Sequence, residues 1–509
     1  MTTSVNAEAN RTTPDEHVER DDRVEHVDVL IVGAGISGLG AAYHLRQAFP
    51  DRSFVLLDAL ESFGGTWWTH RYPGVRSDSD LHTFGYSFKP WRGPTIATAE
   101  EIRAYLGEVI DENDLGPHIR YGHRVTAASW SSEEQRWTVD VTRVDTGERL
   151  RLTTDFLWMC QGYYRHQQGY TPEWPGMERF AGTLVHPQQW PDDLDVAGKR
   201  VVVIGSGATA ATIVPALAGE AGHVTMLQRS PTYFFVRPRT HELAETLRAL
   251  DVPDEWTHEI MRRAYIAQSD EITRMSFEQP EELRKLLLEE LRQQLPEDFD
   301  VEAHFSPRYR PWQQRLALVP EGDLFAAIRA GRASVVTDTI ESFDETGLTV
   351  SSGEHLDADI VVTATGFDLC LLGDVEFHVD GKPVDFTEQV TWRGLMVTEV
   401  PNMAYVFGYF RSSWTLRADL VSEFVCRLLA HLDERGARSV VPRLRPEDAD
   451  MPALPWADPD NFNSGYVMRS QHLMFGRGDR EPWTHLKEYA EERVTLPAAD
   501  LDDGTLVYR

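Results

Sequence analysis

Two glycine-rich turns, followed by different residues at matching positions, carry the chemistry legible in this sequence. The first, Gly33-Ala34-Gly35-Ile36-Ser37-Gly38, follows the apolar run at 27–32 and opens a helical pattern through Ala41, Ala42, Leu45 and Phe49. Gly33, Gly35 and Gly38 allow a tight turn and close approach of a pyrophosphate to a helix N-terminus, where free N–H groups and the dipole favour negative charge. The run at 53–57 then ends in Asp58, 20 positions after Gly38 (58 − 38), where a carboxylate accepts hydrogen bonds from ribose hydroxyls. The second turn, Gly205-Ser206-Gly207-Ala208-Thr209-Ala210, follows the run at 200–204, and Gly205, Gly207, Thr209 and Ala210 are its expected phosphate contacts. At the equivalent strand end stands Arg229, which pairs with a 2′-phosphate through a bidentate fork where an Asp would repel it. The unlike selectors point to FAD in the first site and NADPH in the second, and so to hydride passing from a nicotinamide to a flavin.

The destination of those electrons follows by exclusion. Only three cysteines occur, Cys160, Cys370 and Cys426, far apart and without a CxxC pair, so neither a disulfide framework, a metal site nor a dithiol acceptor is expected. Oxygen is then the expected acceptor. A formal net charge of −31 opposes phosphate backbones and anionic lipid, so no nucleic-acid partner is expected. No apolar run of about 18 residues suggests a transmembrane segment, and residues 1–24 are polar and charged, without the apolar core of a signal peptide. A reducing, cytoplasmic setting is expected; oligomeric state stays open.

To position two such turns, the chain needs two strand–turn–helix units, and 509 residues suffice for both with sizeable cores. The fold class is α/β, with two Rossmann-like dinucleotide-binding domains and a helical insertion in the second. The insertion shows in Leu283, Leu287, Leu288, Leu291 and Leu295 at helical spacing before Pro296, whereas β-like runs return at 333–337 and 359–366. The expected division is a disordered lead-in over 1–24, an FAD-binding domain over 25–165 and 370–509, an NADPH-binding domain over 166–238 and 308–369, and the insertion over 239–307.

Two further segments carry a resemblance. Phe180-Ala181-Gly182-Thr183-Leu184-Val185-His186-Pro187-Gln188-Gln189-Trp190-Pro191 fits the fingerprint FxGxxxHxxxW, and Gly64-Gly65-Thr66-Trp67 through Tyr72-Pro73-Gly74 to Asp78 fits GGxW…YPGxxxD. In these the chain, from about residue 25 to about residue 495, resembles the class B flavoprotein monooxygenases, and within them the Baeyer–Villiger enzymes similar to the ethionamide-activating monooxygenase of mycobacteria. The resemblance implies FAD contacts at Gly65, Thr66, Trp67 and Asp78, and a catalytic pair of Arg315 with Asp78, the Arg lying in the segment 311–320. A guanidinium held near the flavin would balance charge on the reduced flavin, a C4a-peroxide and a tetrahedral adduct, with Asp78 orienting it. His186 is expected to make a structural hydrogen bond in the linker between the nucleotide domains. Trp414 and Thr415 are expected near flavin and nicotinamide, with Tyr409 and Phe410 offering aromatic walls to an apolar substrate.

Several members of the family carry Lys where this chain has Gln314, which loosens the expected preference for NADPH. The activity implied is conversion of ketones to esters or lactones, with sulfoxidation of thioethers at the same site. A heteroatom (S/N) oxygenase without ketone activity and, more remotely, a flavin-binding redox sensor are the alternatives. The Arg315–Asp78 pair favours the first reading, since an electrophilic hydroperoxide has less need of a cation at an oxyanion.

Overall fold

The computed structural model describes residues 24–485 and 487–509, so the lead-in expected over 1–24 lies, except for Val24, outside the described residues. The first glycine turn leaves the strand Glu25–Val32, which pairs in parallel with Phe54–Leu57 on one side and Arg149–Met159 on the other. Its side chains alternate between two cores: Val29 and Ile31 face one, Leu30 and Val32 the other. Burial on both faces explains why the run is apolar without a polar alternate, as in a parallel sheet covered by helices. Helix Ile36–Ala48 covers one face and packs against the long helix Trp414–Arg435, which returns the C-terminal part of the chain to this sheet.

The alternation of strand and helix in such units is interrupted by runs of strands, once in this sheet and again at Ile340–Phe343, Gly347–Val350 and His355–Asp357, which pair antiparallel. His123–Ser131, Arg136–Arg143 and Arg149–Met159 form a consecutive antiparallel meander joined to the same sheet. The last strand does double duty: residues 149–154 pair with the meander, and 152–159 with Glu25–Val32. Trp130 and Trp137 stack edge to face beneath it and bury its inner face.

The second sheet is wholly parallel, in the order Ala333–Thr337, His223–Gln228, Arg200–Ile204, Ile360–Thr363, Thr183–Val185. Val201 and Val203 face one core, Val202 and Ile204 another, repeating the logic of the first sheet. Two dinucleotide-type α/β units are thus present. The helical segment consists of Glu242–Ala249, Asp254–Glu278, Pro280–Arg292 and Val301–Phe305, with Leu283, Leu287, Leu288 and Leu291 buried as their spacing requires. The third helix stops at Arg292, four residues before Pro296. The segment leaves from the strand Phe234–Arg237 and returns into Ala317–Pro320, which pair in parallel. That return places Arg315 two residues before a fixed strand.

Candidate cofactor and substrate site

At both turns the glycine is demanded by sterics. Gly33 has φ +105° and a Cβ there would lie 2.6 Å from the Cys160 carbonyl oxygen; Gly205 has φ +137° and would meet the Ala364 oxygen at 2.3 Å. Such contacts, in a backbone region L side chains rarely adopt, exclude any other residue without rearrangement. Gly35 and Gly207 then cap Ile36–Ala48 and Ala208–Leu217, and no side chain caps either helix. The first N–H groups of both helices stay available to an anion.

Both turns open into one cavity of about 1400 Å³. That exceeds the roughly 300–1,000 Å³ of a pocket for one small ligand, as two dinucleotides side by side require. Gly33, Gly35, Asp58, Gly65, Thr66 and Trp67 line its first arm. Gly205, Gly207, Thr209, Arg229 and Gln314 line its second. The residues present therefore fit FAD in the first arm and NADPH in the second.

Two expected contacts are corrected. Gly38 does not face the cavity: a Cβ there would sit 1.9 Å from the Gly33 oxygen, so it lets the helix start close against the turn. The Ala210 side chain is fully buried in the core of the second unit, packed inward one helix position from Thr209, so only its first-turn backbone N–H remains for a phosphate. Asp58 lines the cavity and also braces the turn, accepting from the Ala34 N–H at 2.6 Å and the Leu60 N–H at 2.8 Å. Burial pushes its carboxyl up despite those two donors. Arg229 is exposed and makes no ion pair among the described residues, so its guanidinium is free for a phosphate.

The segment 64–78 joins the two arms. Gly64 donates to the Ala34 oxygen at 3.0 Å and Gly65 packs on Gly35, tying this segment to the first turn. Gly74, at φ +75°, lies so close to helix Ala208–Leu217 that a Cβ would approach Ala216 to 2.9 Å. Arg76 pairs with Asp323 at 2.6 Å. The segment thus ends with Asp78 held against the second unit, where Arg315 donates to it twice, from Nε at 2.7 Å and from Nη2 at 2.9 Å. A third N–H of Arg315 reaches the Phe410 carbonyl at 3.4 Å. The side chains keep 34% and 27% exposure and line the cavity. Burial raises the Asp78 carboxyl, but the charge and hydrogen bonds of Arg315 more than offset this and hold it below the ordinary range. Burial works against the Arg315 cation too, and Asp78 more than restores it. The result is a fixed, protonated guanidinium beside a fixed carboxylate.

The aromatic expectations divide. Trp414 lines the cavity and donates from Nε1 to the Ser37 hydroxyl at 2.7 Å, beside the first turn. Tyr409 also lines it, donating to Glu492 at 2.5 Å. Phe410 instead stacks on Phe462 at 4.3 Å, outside the cavity wall. Thr415 is fully buried and donates to the Phe84 carbonyl at 2.5 Å, so it approaches neither cofactor arm. Thr415 points inward because it is the second residue of the helix that begins at Trp414, about 100° round from the cavity-lining Trp414.

His186 makes the structural contacts expected of it: Nε2 donates to the Gly366 carbonyl at 3.3 Å and Nδ1 accepts from the Gln188 N–H at 3.2 Å. Burial keeps its ring neutral, pushing its pKa down.

Motif reasoning missed Tyr163, Tyr164 and Tyr466, which line the cavity close enough for Arg315 and Asp78 to perturb Tyr164 and Tyr466. Tyr163 stacks on Trp414 with centroids 5.1 Å apart. The pair Tyr163-Tyr164 follows the strand Arg149–Met159, which ends beside the first turn; pairing that strand with Glu25–Val32 was the signal that leads to them.

A model of the family described as "Flavin-binding monooxygenase-like" matches residues 85–382, and one described as "NAD(P)-binding Rossmann-like domain" matches 31–92. The FAD-containing monooxygenase EthA of Mycolicibacterium smegmatis is 49% identical over 484 residues, covering 95% of this chain and 97% of that protein. The probable FAD-binding monooxygenase AlmA of Acinetobacter baylyi is 43% identical, covering 95% and 96%. Among solved structures, an oxidized steroid monooxygenase bound to NADP superposes with a TM-score of 0.69 at 26% identity, over 83% of this chain and 88% of that one.

Proposed function

This chain belongs to the class B flavoprotein monooxygenases, using FAD and NADPH, and from that premise we propose that it is a Baeyer–Villiger monooxygenase acting on small ketones. Within it, residues 25–165 with 370–509 serve FAD, residues 166–238 with 308–369 serve NADPH, and 239–307 form the insertion whose return positions Arg315. When bound, FAD reduced by NADPH supplies O2 in a form that transfers one oxygen atom. The remaining work falls to the chain's own groups.

The observation that carries the reading is the two-point Arg315–Asp78 pair at the junction of the two cofactor arms. A carbonyl oxygen gains negative charge as its carbon is attacked, and a preorganised cation in a cavity is worth most there. Asp78 takes both sides of the Arg315 fork nearest to it and leaves Nη1 as the N–H with only a long carbonyl contact. Gly35 and Gly207 hold the pyrophosphates through helix N-termini, and Arg229 holds the 2′-phosphate. Trp414 and Tyr409 exclude water and present apolar surface to the substrate's arms. Thioether oxidation at the same cavity needs the same supply of oxygen but no oxyanion site.

The test is the conversion of phenylacetone to its ester with NADPH and O2, followed by product analysis, in the wild type and in Arg315→Ala. Ester is expected from the wild type, with a fall of roughly 10²–10³ in the variant, the usual cost of removing one oxyanion donor. NADPH consumption that yields only hydrogen peroxide, whatever ketone is added, would sink the reading. Oxidation of a thioether without ester from any ketone would leave the heteroatom oxygenase in its place.

A further inference from the structure

Three tyrosines not called on by the cofactor motifs gather in the wall beside Arg315. Tyr163 and Tyr164, consecutive in the chain, lie with ring centroids 4.2 Å apart, and the Tyr163 hydroxyl donates to that of Tyr164 at 2.7 Å. Tyr466, from the short helix Gly465–Ser470 near the C-terminus, places its ring 6.4 Å from Tyr163 and 6.2 Å from Tyr164. Tyr163 is stacked on Trp414 and Tyr164 is held against Phe367 at 4.3 Å, so neither ring is free to swing away. All three line the cavity.

The chain of hydroxyls has a direction. With Tyr163 donating to Tyr164, the proton of Tyr164 has no acceptor among the described residues, although the oxygen that carries it is already polarised by the bond it accepts. A donor strengthened in this way and turned to a cavity calls for an acceptor that the cavity's occupant brings. Arg315 forbids a cationic occupant, and the surrounding rings of Phe367, Trp414 and Tyr466 favour an apolar one with a single polar atom.

Resting on the ketone reading above, we infer that Tyr164, backed by Tyr163, donates a hydrogen bond to the substrate's carbonyl oxygen and shares with Arg315 the charge that develops there. As the incoming oxygen bonds to the carbonyl carbon, the π pair moves onto the carbonyl oxygen, where the two donors meet it. The pair then reforms C=O while an alkyl group migrates with its electrons from carbon to the inserted oxygen, the O–O bond breaks with its pair on the distal oxygen, and that atom, protonated, leaves as water. The sum is ketone + O2 + NADPH + H+ giving ester + water + NADP+. Tyr164 holds its proton throughout, consistent with a hydroxyl that burial and the Tyr466 phenol push well above its ordinary range.

The discriminating measurement is a ratio. Tyr164→Phe, Tyr163→Phe and wild type are each given phenylacetone and, separately, thioanisole, whose sulfur offers no oxygen to a donor before transfer. Tyr164→Phe is expected to lose at least tenfold in kcat/KM for ketone and less than threefold for thioether, with Tyr163→Phe shifting the ratio the same way by a smaller factor. Equal losses on both substrates, which a merely structural role gives, overturn the inference, as does no loss on ketone. If Tyr164→Phe does not retain FAD, the ratio in Tyr163→Phe decides alone. A wild type that forms sulfoxide but no ester fails the ketone reading itself, which is told apart from the loss of ratio in an ester-forming enzyme.

Discussion

At the scale of single residues, the proposed selectivity for NADPH turns on Arg229, a cation that makes no ion pair among the described residues. Arg229 stands at the end of the strand His223–Gln228 and lines the cavity, as does Gln314, which is uncharged. Loss of that one guanidinium removes a charge-assisted, two-point contact to a 2′-phosphate and touches nothing on an NADH ribose. Arg229→Ala is expected to raise KM for NADPH by about 10–100-fold with kcat near the wild type, and to change KM for NADH little, read from NADPH- and NADH-dependent turnover. A parallel rise for both cofactors would place Arg229 elsewhere than on the phosphate. The Asp78–Arg315 pair adds no pH dependence near neutrality: its carboxyl sits below 3.8, so its stabilising charge is present above that value and lost only as pH falls through it.

At the scale of elements, the two strand–turn–helix units are equivalent in construction and separable in function. Each has one glycine at positive φ wedged against the carbonyl of a neighbouring strand's exit, Cys160 for Gly33 and Ala364 for Gly205. A methyl group at either position displaces the turn from its helix and costs about 1–3 kcal/mol of backbone strain in addition to the clash. Gly33→Ala is expected to yield a protein that no longer retains FAD, seen as loss of the flavin spectrum after gel filtration. Gly205→Ala is expected to keep the flavin while NADPH binds at least tenfold more weakly. FAD loss from both, or from neither, would deny that the two turns serve different cofactors. Gly74 belongs to the same scale: its missing Cβ lets the segment carrying Asp78 lie directly on the second unit's helix.

Across the whole molecule, the parts around the cavity are locked by buried polar groups whose charge states matter. Arg417 is wholly buried and binds Glu492 with two hydrogen bonds of 2.9 Å, and Tyr409 donates to the same carboxylate, so the C-terminal helix Tyr489–Thr495 is tied to the cavity wall. Arg262, from the long helix of the insertion, donates to the His82 and Gly85 carbonyls and anchors the insertion over the first unit. Burial drives His70, at the cavity, down from 6.5 to about 3, and His82 and His258, beside Arg262, to about 3 and about 4. Between those values and 6.5 the unfolded chain binds more protons than the folded one, so stability is full above 6.5 and lost as pH falls. Each group contributes up to about 1.4 kcal/mol per pH unit. Burial lowers His166, His186, His304 and His485 as well, whereas Asp80, raised to about 6, works in the opposite direction between 3.8 and 6 together with Asp58, Asp270, Glu290 and Glu423, so the histidines are the larger group and act nearer neutrality. The melting temperature is therefore expected to fall steadily from pH 7 to pH 5, and His82→Phe to reduce that slope. A melting temperature flat across this range would refute the balance.

How much of this was legible beforehand depends on the range over which each property is decided. The two glycine turns, Asp58, Arg229 and the apolar strands before them are local: sterics at one residue and charge at one strand end suffice, so they can be read directly, as can the helical insertion from its leucine spacing. The family fingerprints likewise pointed to Arg315 and Asp78, which the fold brings within 2.7 Å across 237 residues of chain. Which neighbours of a motif face the cavity is another matter. Ala210 and Thr415 stand within the right segments but turn their side chains into cores, because a helix rotates successive side chains by about 100° and only packing fixes which of them face the ligand; Gly38 is claimed by the close approach of the Gly33 oxygen and Phe410, in the loop before its helix, by stacking on Phe462. Tyr163, Tyr164 and Tyr466 carry no motif at all. They meet beside Arg315 because the strand Arg149–Met159 pairs with Glu25–Val32 and a helix some 300 residues later closes over its end, a juxtaposition that arises from long-range pairing and that no local pattern encodes.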